Sequence, residues 1–146
     1  MTLLSIDPGL SIGWAKFKDN HLYKWGIEKI DDNRVWPFPV KQTANVDEVV
    51  YERFFVTQPF QDTRTAEVIG VIKYLCVEKG IPISHQEPSM LQFVLSRFLH
   101  NKQVDYSTYS SHALSAIMHG IGYLYPKGED VIPIVNQITK ERINEL

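Results

Sequence analysis

Residues 3–17, LLSIDPGLSIGWAKF, constrain the fold more than any other stretch: a short apolar run delivers one aspartate, turns, and resumes as a second strand-like run. Leu3, Leu4 and Ile6 are too few for a helix and suit a strand buried on both faces, which sets Asp7 at the very end of a core element. A carboxylate there is costly unless something pairs with it. Pro8-Gly9 reads as a turn, with the proline fixing φ and the glycine free to take φ > 0. Taken alone, Asp7 is a capping or turn-stabilising residue; a functional role requires partners elsewhere in the chain.

The 146 residues, 44% hydrophobic and 22% charged, have the size and balance of one globular domain with a real core. We expect residues 1–125 to form that domain and residues 126–146 to extend it. A formal charge of −2 gives no global basic signature, although phosphate binding needs only local positive charge. The single cysteine, Cys76, excludes an internal disulfide and fits a reducing compartment. With no secretory segment and no apolar run of membrane-spanning length, no membrane partner is expected and the protein is expected in the cytoplasm.

Residues 12–17 and 22–30 read as strands joined by a tight turn at Asp19-Asn20, two residues that tolerate left-handed backbone. The chain thus opens as three antiparallel neighbours. Residues 31–47 carry two prolines around Phe38, no periodicity, and two exposed-looking aromatics, Trp36 and Phe38; they read as a loop with at most a short helical turn. Residues 49–56 are strongly strand-prone, with Glu52 in their middle.

A helix follows, capped by Asp62 or Thr63 and running to about Lys79, where Gly80 and Pro82 stop it. Residues 81–85 suit a short strand, and Ser89 with Gln92 fits a capping box for a helix reaching about Leu99. A last long helix begins within residues 107–111 and runs to about Tyr123; its small apolar residues allow close packing on a sheet. The tail has room for one short helix.

This order predicts a mixed sheet flanked by helices. If the strands bearing Asp7 and Glu52 are neighbours, their carboxylates face one site, and a divalent cation is the natural compensation for two such charges; oxygen donors favour magnesium or manganese. Alternatively, Glu52 is ion-paired with a nearby Lys or Arg.

In its ordered motifs the sequence resembles the RuvC-like Holliday junction resolvases of the ribonuclease H-like superfamily, in particular the small phage and organellar-type members. The matching blocks are Ile6-Asp7-Pro8-Gly9 with Gly13-Trp14-Ala15, Tyr51-Glu52-Arg53-Phe54, Ile69-Gly70, Gly80-Ile81-Pro82, Gln86-x-Pro88-Ser89 and His112-Ala113-Leu114-Ser115-Ala116, spread over residues 3–124. The resemblance implies an α/β, ribonuclease H-like mixed sheet, three antiparallel strands followed by parallel ones, flanked by helices. The first crossover helix is expected to be shortened or missing, since residues 31–47 leave little room for it.

It further implies a catalytic set of Asp7, Glu52, His112 and Ser115, of which Asp7, Glu52 and His112 would ligate metal. Two Mg2+ or Mn2+ ions are expected, with Asp7 bridging them, for two-metal phosphodiester hydrolysis. Residues three apart share a helix face, so His112 and Ser115 point the same way. Ser115, however, stands where the family carries an aspartate, which predicts weaker metal binding on the His112 side. His119, one turn further on, reads as a surface or packing histidine, and Asp105 as a loop or capping residue.

Arg53, Arg64, Lys73, Arg97 and Lys102 are candidate phosphate contacts, and Phe60 with Gln61 fall in the loop that relatives use to probe the junction. The implied partner is branched DNA, nicked symmetrically by a homodimer in the cytoplasm of a bacterial or phage-infected cell or in an organellar nucleoid. Two other readings remain open: a weakened homologue that binds branched DNA without cutting, favoured by Ser115, and an actin-like phosphate-transfer fold, disfavoured by the short chain and the lack of a second phosphate loop.

Overall fold

The computed structural model describes residues 1–30, 35–54 and 62–140. The chain opens with three strands, β1 (Thr2–Asp7), β2 (Ser11–Lys18) and β3 (His21–Lys29). A short helix α1 (Pro37–Thr43) leads to β4 (Glu48–Glu52). Helix α2 (Arg64–Lys79), strand β5 (Ile83–Gln86) and helix α3 (Met90–Phe98) follow. After the two-residue strand β6 (Gln103–Val104) come helix α4 (Ser111–Leu124), helix α5 (Ile132–Ile138) and β7 (Thr139–Lys140), which pairs with β6.

The main sheet has the order β3-β2-β1-β4-β5. The first three strands are antiparallel, whereas β4 is parallel to both β1 and β5. This is the expected ribonuclease H-like arrangement. Residues 2–6 are all buried, as the apolar run predicts, because helices cover both faces of β1. Leu3, Ala15, Phe17 and Val50 pack against residues of α3, α4 and α5. Leu4, Ile6, Ile12, Val49 and Tyr51 face the other way, onto Phe38 of α1 and Val68, Ile69, Ile72 and Cys76 of α2.

Local chemistry sets most of the boundaries. Asp19 and Asn20 have φ of 50° and 65°, the left-handed pair that a two-residue hairpin requires. Gly80 ends α2 with φ 69°. The Ser110 hydroxyl accepts from the Ala113 N–H and caps α4.

Several expectations are corrected. Gly9 does not use positive φ. Ser89 makes no side-chain cap, because its own backbone is already helical, with φ −60° and ψ −17°. Strand β4 ends at Glu52 instead of running to residue 56, so Glu52 is terminal like Asp7. Phe38 is buried, 3% exposed against 39% for Trp36, because α1 turns it onto the sheet. The crossover helix is shortened, as expected: α1 has seven residues. Phe60 and Gln61 lie outside the described residues. The tail does hold a helix, and Ile134, Val135 and Ile138 of α5 join the core beneath α4.

Helix α4 lies close on the sheet. A Cβ on Gly13 would overlap the His112 carbonyl, and one on Gly120 would overlap the Phe17 ring. The buried Ser5 hydroxyl donates to the Ala116 carbonyl at 2.6 Å. Because the clash at Gly13 is with backbone, no rotamer change relieves it. Gly13→Ala is therefore expected to destabilise the protein by about 2 kcal/mol or more, read by urea unfolding; a loss within about 0.5 kcal/mol, the range of a neutral surface change, would show that α4 does not rest on β2 in this way.

Candidate active site

The site forms along one row across the sheet. Asp7 pairs with Gly13, and Glu52 pairs with Gln86. Since Ile6 is level with Tyr51 on the parallel neighbour, one further step brings Asp7 beside Glu52 on the same face. Both carboxylates thus stand at the carboxyl ends of adjacent parallel strands, where loops and helix starts leave room for a ligand. The turn after β1 is tied to the start of α2 by the Thr65 hydroxyl, which donates to the Gly9 carbonyl at 2.7 Å.

Helix α4 crosses this row. His112 sits over Gly13 through its backbone, Ser115 stands near enough to Asp7 to favour its charged form, and His119 reaches Glu52 with Nε2 2.9 Å from Oε2. The Ser115 hydroxyl is also 3.1 Å from the Ser111 carbonyl. The positions are i, i+3 and i+7 of one helical face, so the shared face inferred for residues 112 and 115 continues one turn to His119.

Electrostatics single out the carboxylate pair. Burial, then the hydrogen bond and the negative charge of Glu52, push the Asp7 carboxyl up to about 8, against a smaller opposing hydrogen bond from Ser115. Glu52 moves the opposite way, held below its usual range chiefly by the hydrogen bond from His119. Without a cation, Asp7 carries the proton and Glu52 the charge, as expected of two acids too close to ionise together.

A divalent cation would compensate the two charges where that proton compensates one. Asp7, Glu52 and the Ser115 hydroxyl offer hard oxygen donors, the set suited to magnesium or manganese. Among the described residues, no group of three or more His, Cys, Asp or Glu converges on a metal position. His112 is exposed and does not join the two carboxylates in such a group. His119, expected at the surface or in packing, is buried at 0% exposure and bonded to Glu52 and Gln86. Both its nitrogens are engaged, so it supports Glu52 and does not act as a ligand. The signals that would have found it are its spacing from Ser115 and the Gln86-x-Pro88 block on the neighbouring strand.

The candidate phosphate contacts do not form one patch. Arg53 and Lys73 border a groove of about 400 Å3 with Tyr51, Phe54 and His85, on the α2 side of the sheet. Arg53 bonds Glu87 at 3.1 Å, and Lys73 lies over the Tyr51 ring. Arg64 clasps Asp62, pulling that carboxyl down to about 2. Arg97 stacks on Tyr125 and bonds its hydroxyl, and Lys102 is exposed beyond α3. Asp105 caps its own loop, accepting from Ser107 and Thr108, as expected.

The pair has a pH signature. A carboxyl whose folded pKa exceeds its unfolded value keeps a proton that the unfolded chain releases, so stability falls as pH rises from 3.8 to about 8. The slope from this group is at most about 1.4 kcal/mol per pH unit. In chelator, the wild type is expected to lose stability across this window relative to Asp7→Asn, and the gap should widen toward pH 8. Parallel unfolding profiles for the two proteins would contradict the shared proton.

No family model matches the sequence, and no curated protein matches it. Solved structures do. RuvC from T. thermophilus, in complex with a Holliday junction substrate, superposes with a TM-score of 0.62 at 16% identity, covering 89% of this chain and 98% of that one. A second structure of Thermus thermophilus RuvC gives 0.62 and 16%, covering 88% and 98%. At this identity the likeness is one of fold, and it spans nearly the whole of both chains: the protein has the RuvC-like form of the ribonuclease H fold.

Proposed function

We propose that this chain is an endonuclease that hydrolyses phosphodiester bonds in branched DNA, with a divalent cation, Mg2+ or Mn2+, held by Asp7 and Glu52. The observation that carries the reading is the carboxylate pair at the carboxyl ends of adjacent parallel strands, whose pKa values are pushed in opposite directions. Support comes from the fold, shared with a RuvC that was solved with a Holliday junction substrate. A bound cation supplies an activated water and stabilises charge on the departing oxygen. Asp7, once deprotonated, and the charged Glu52 would hold the cation, and Ser115 beside Asp7 would favour its charged form.

Recognition would rest on shape and phosphate contacts, since backbone contacts position a nucleic acid without reading its sequence. Arg53, Arg64, Lys73, Arg97 and Lys102 are the side chains we assign to that role, with Phe60 and Gln61 as the junction-probing loop. Symmetric incision needs two sites and hence a homodimer. Val71, Tyr74 and Val77 form an exposed apolar stripe on α2, with Tyr74 65% and Val77 77% exposed, and we assign the dimer contact to it. Sedimentation at micromolar concentration is expected to give a dimer for the wild type and a monomer for Tyr74→Lys/Val77→Glu; equal masses for the two proteins would remove α2 from the interface.

A synthetic four-way junction, incubated with Mg2+ and with Mn2+, tests the activity. Paired nicks are expected from the wild type, with a loss of about a hundredfold or more in Asp7→Asn and Glu52→Gln, in the range that single catalytic groups supply. A second reading, a protein that binds junctions without cutting, is favoured by one observation: a neutral Ser115 hydroxyl on Asp7 in place of a third carboxylate. Junction binding without nicking in either metal, with nicking gained in Ser115→Asp, would select it. Neither binding nor nicking would overturn both readings.

A further inference from the structure

His119 is fully buried, yet it carries two polar atoms, and both are satisfied. Its Nε2 lies 2.9 Å from Glu52 Oε2, and its Nδ1 lies 3.0 Å from the side-chain amide of Gln86. A carboxylate only accepts, so Nε2 is the donor to Glu52. With the Gln86 amide turned so that its nitrogen faces the ring, that nitrogen donates to Nδ1 at 3.0 Å and to the His119 carbonyl at 3.1 Å, and the amide oxygen lies 3.2 Å from the Tyr123 nitrogen. A ring nitrogen that accepts a hydrogen bond carries no proton. The ring proton is therefore on Nε2, aimed at Glu52. The chain of contacts runs from β5 through α4 to β4, three elements whose places are fixed by the sheet pairing and by the seat of α4 on β1 and β2.

We propose that His119 is a positioning residue for the cation site: Gln86 locks its imidazole as an Nε2 donor, and that donor holds one oxygen of Glu52, leaving the rest of the carboxylate's acceptor capacity for a divalent cation shared with Asp7. The inference rests on the reading that Asp7 and Glu52 hold such a cation. Partners of this kind, one step removed from the metal, set the orientation of the ligand, and their removal lowers metal affinity by about 10–100-fold. A glutamine at 119 places an amide donor where the imidazole Nε2 stood, whereas leucine fills the space with none.

The test uses the full chain and Mn2+ alone, without DNA. Titration calorimetry is expected to show Mn2+ binding about tenfold or more weaker in His119→Leu and largely restored in His119→Gln, with both variants folded by thermal unfolding. Should His119→Leu fail to fold, Gln86→Leu frees the ring while leaving the His119 and Glu52 side chains in place and is expected to weaken Mn2+ binding several-fold. Nitrogen-15 NMR of the metal-free wild type is expected to show the proton on Nε2 of His119; a proton on Nδ1 overturns the lock. Mn2+ affinity unchanged in the folded variants overturns the role of His119 while the cation site stands. No Mn2+ binding by the wild type overturns the cation site and the role together.

Discussion

The close approach of α4 to β1 and β2 fixes what the rest of the molecule can do. Gly13 gives the His112 carbonyl a place against the sheet, Gly120 admits the Phe17 ring, and the Ser5 hydroxyl clasps the Ala116 carbonyl between them. These contacts set both the depth and the register of the helix. With the register fixed, Ser115 meets Asp7 and His119 meets Glu52; a helix rotated by one residue, about 100°, would present neither. Close-packed interiors transmit such constraints because they hold few voids in which a misplaced backbone could relax.

On that frame, the electrostatics of the site follow from proximity. Two half-buried carboxylates this close disfavour being charged together, and the chain resolves this unevenly: His119 favours the charged form of Glu52, while desolvation and Glu52 itself favour the protonated form of Asp7. A divalent ion would compensate both charges where a proton compensates one. Ser115 softens the arrangement. A hydroxyl can orient Asp7 and donate an oxygen, but it brings no charge, so the site has fewer anionic donors than the family pattern implies.

The two carboxylates were legible in the sequence because each sits on an apolar strand, although only Asp7 was legible as a strand end. The sheet order was legible for the same reason: three strand-prone runs with a left-handed Asp19-Asn20 turn, then strand and helix alternating. The role of His119 was not legible. Its spacing from His112 and Ser115 placed it on their face, but whether that face meets Glu52 depends on the register of α4, which is set by Gly13 and Ser5, about a hundred residues away in the chain. The end of β4 at Glu52 was obscured by the apolar residues that follow, which have strand propensity whether or not a partner strand is present. Arginine candidates were equally ambiguous: charge alone did not reveal that Arg53 and Arg64 contact Glu87 and Asp62.

A crystal structure of the protein soaked in Mn2+, with anomalous scattering recorded for manganese, tests the central claim most directly. The account predicts a manganese peak within ligand distance of both Asp7 and Glu52, with His119 still bonded to Glu52 from behind. Manganese absent from that pair, or bound elsewhere while Asp7 and Glu52 remain joined by their proton, would contradict it.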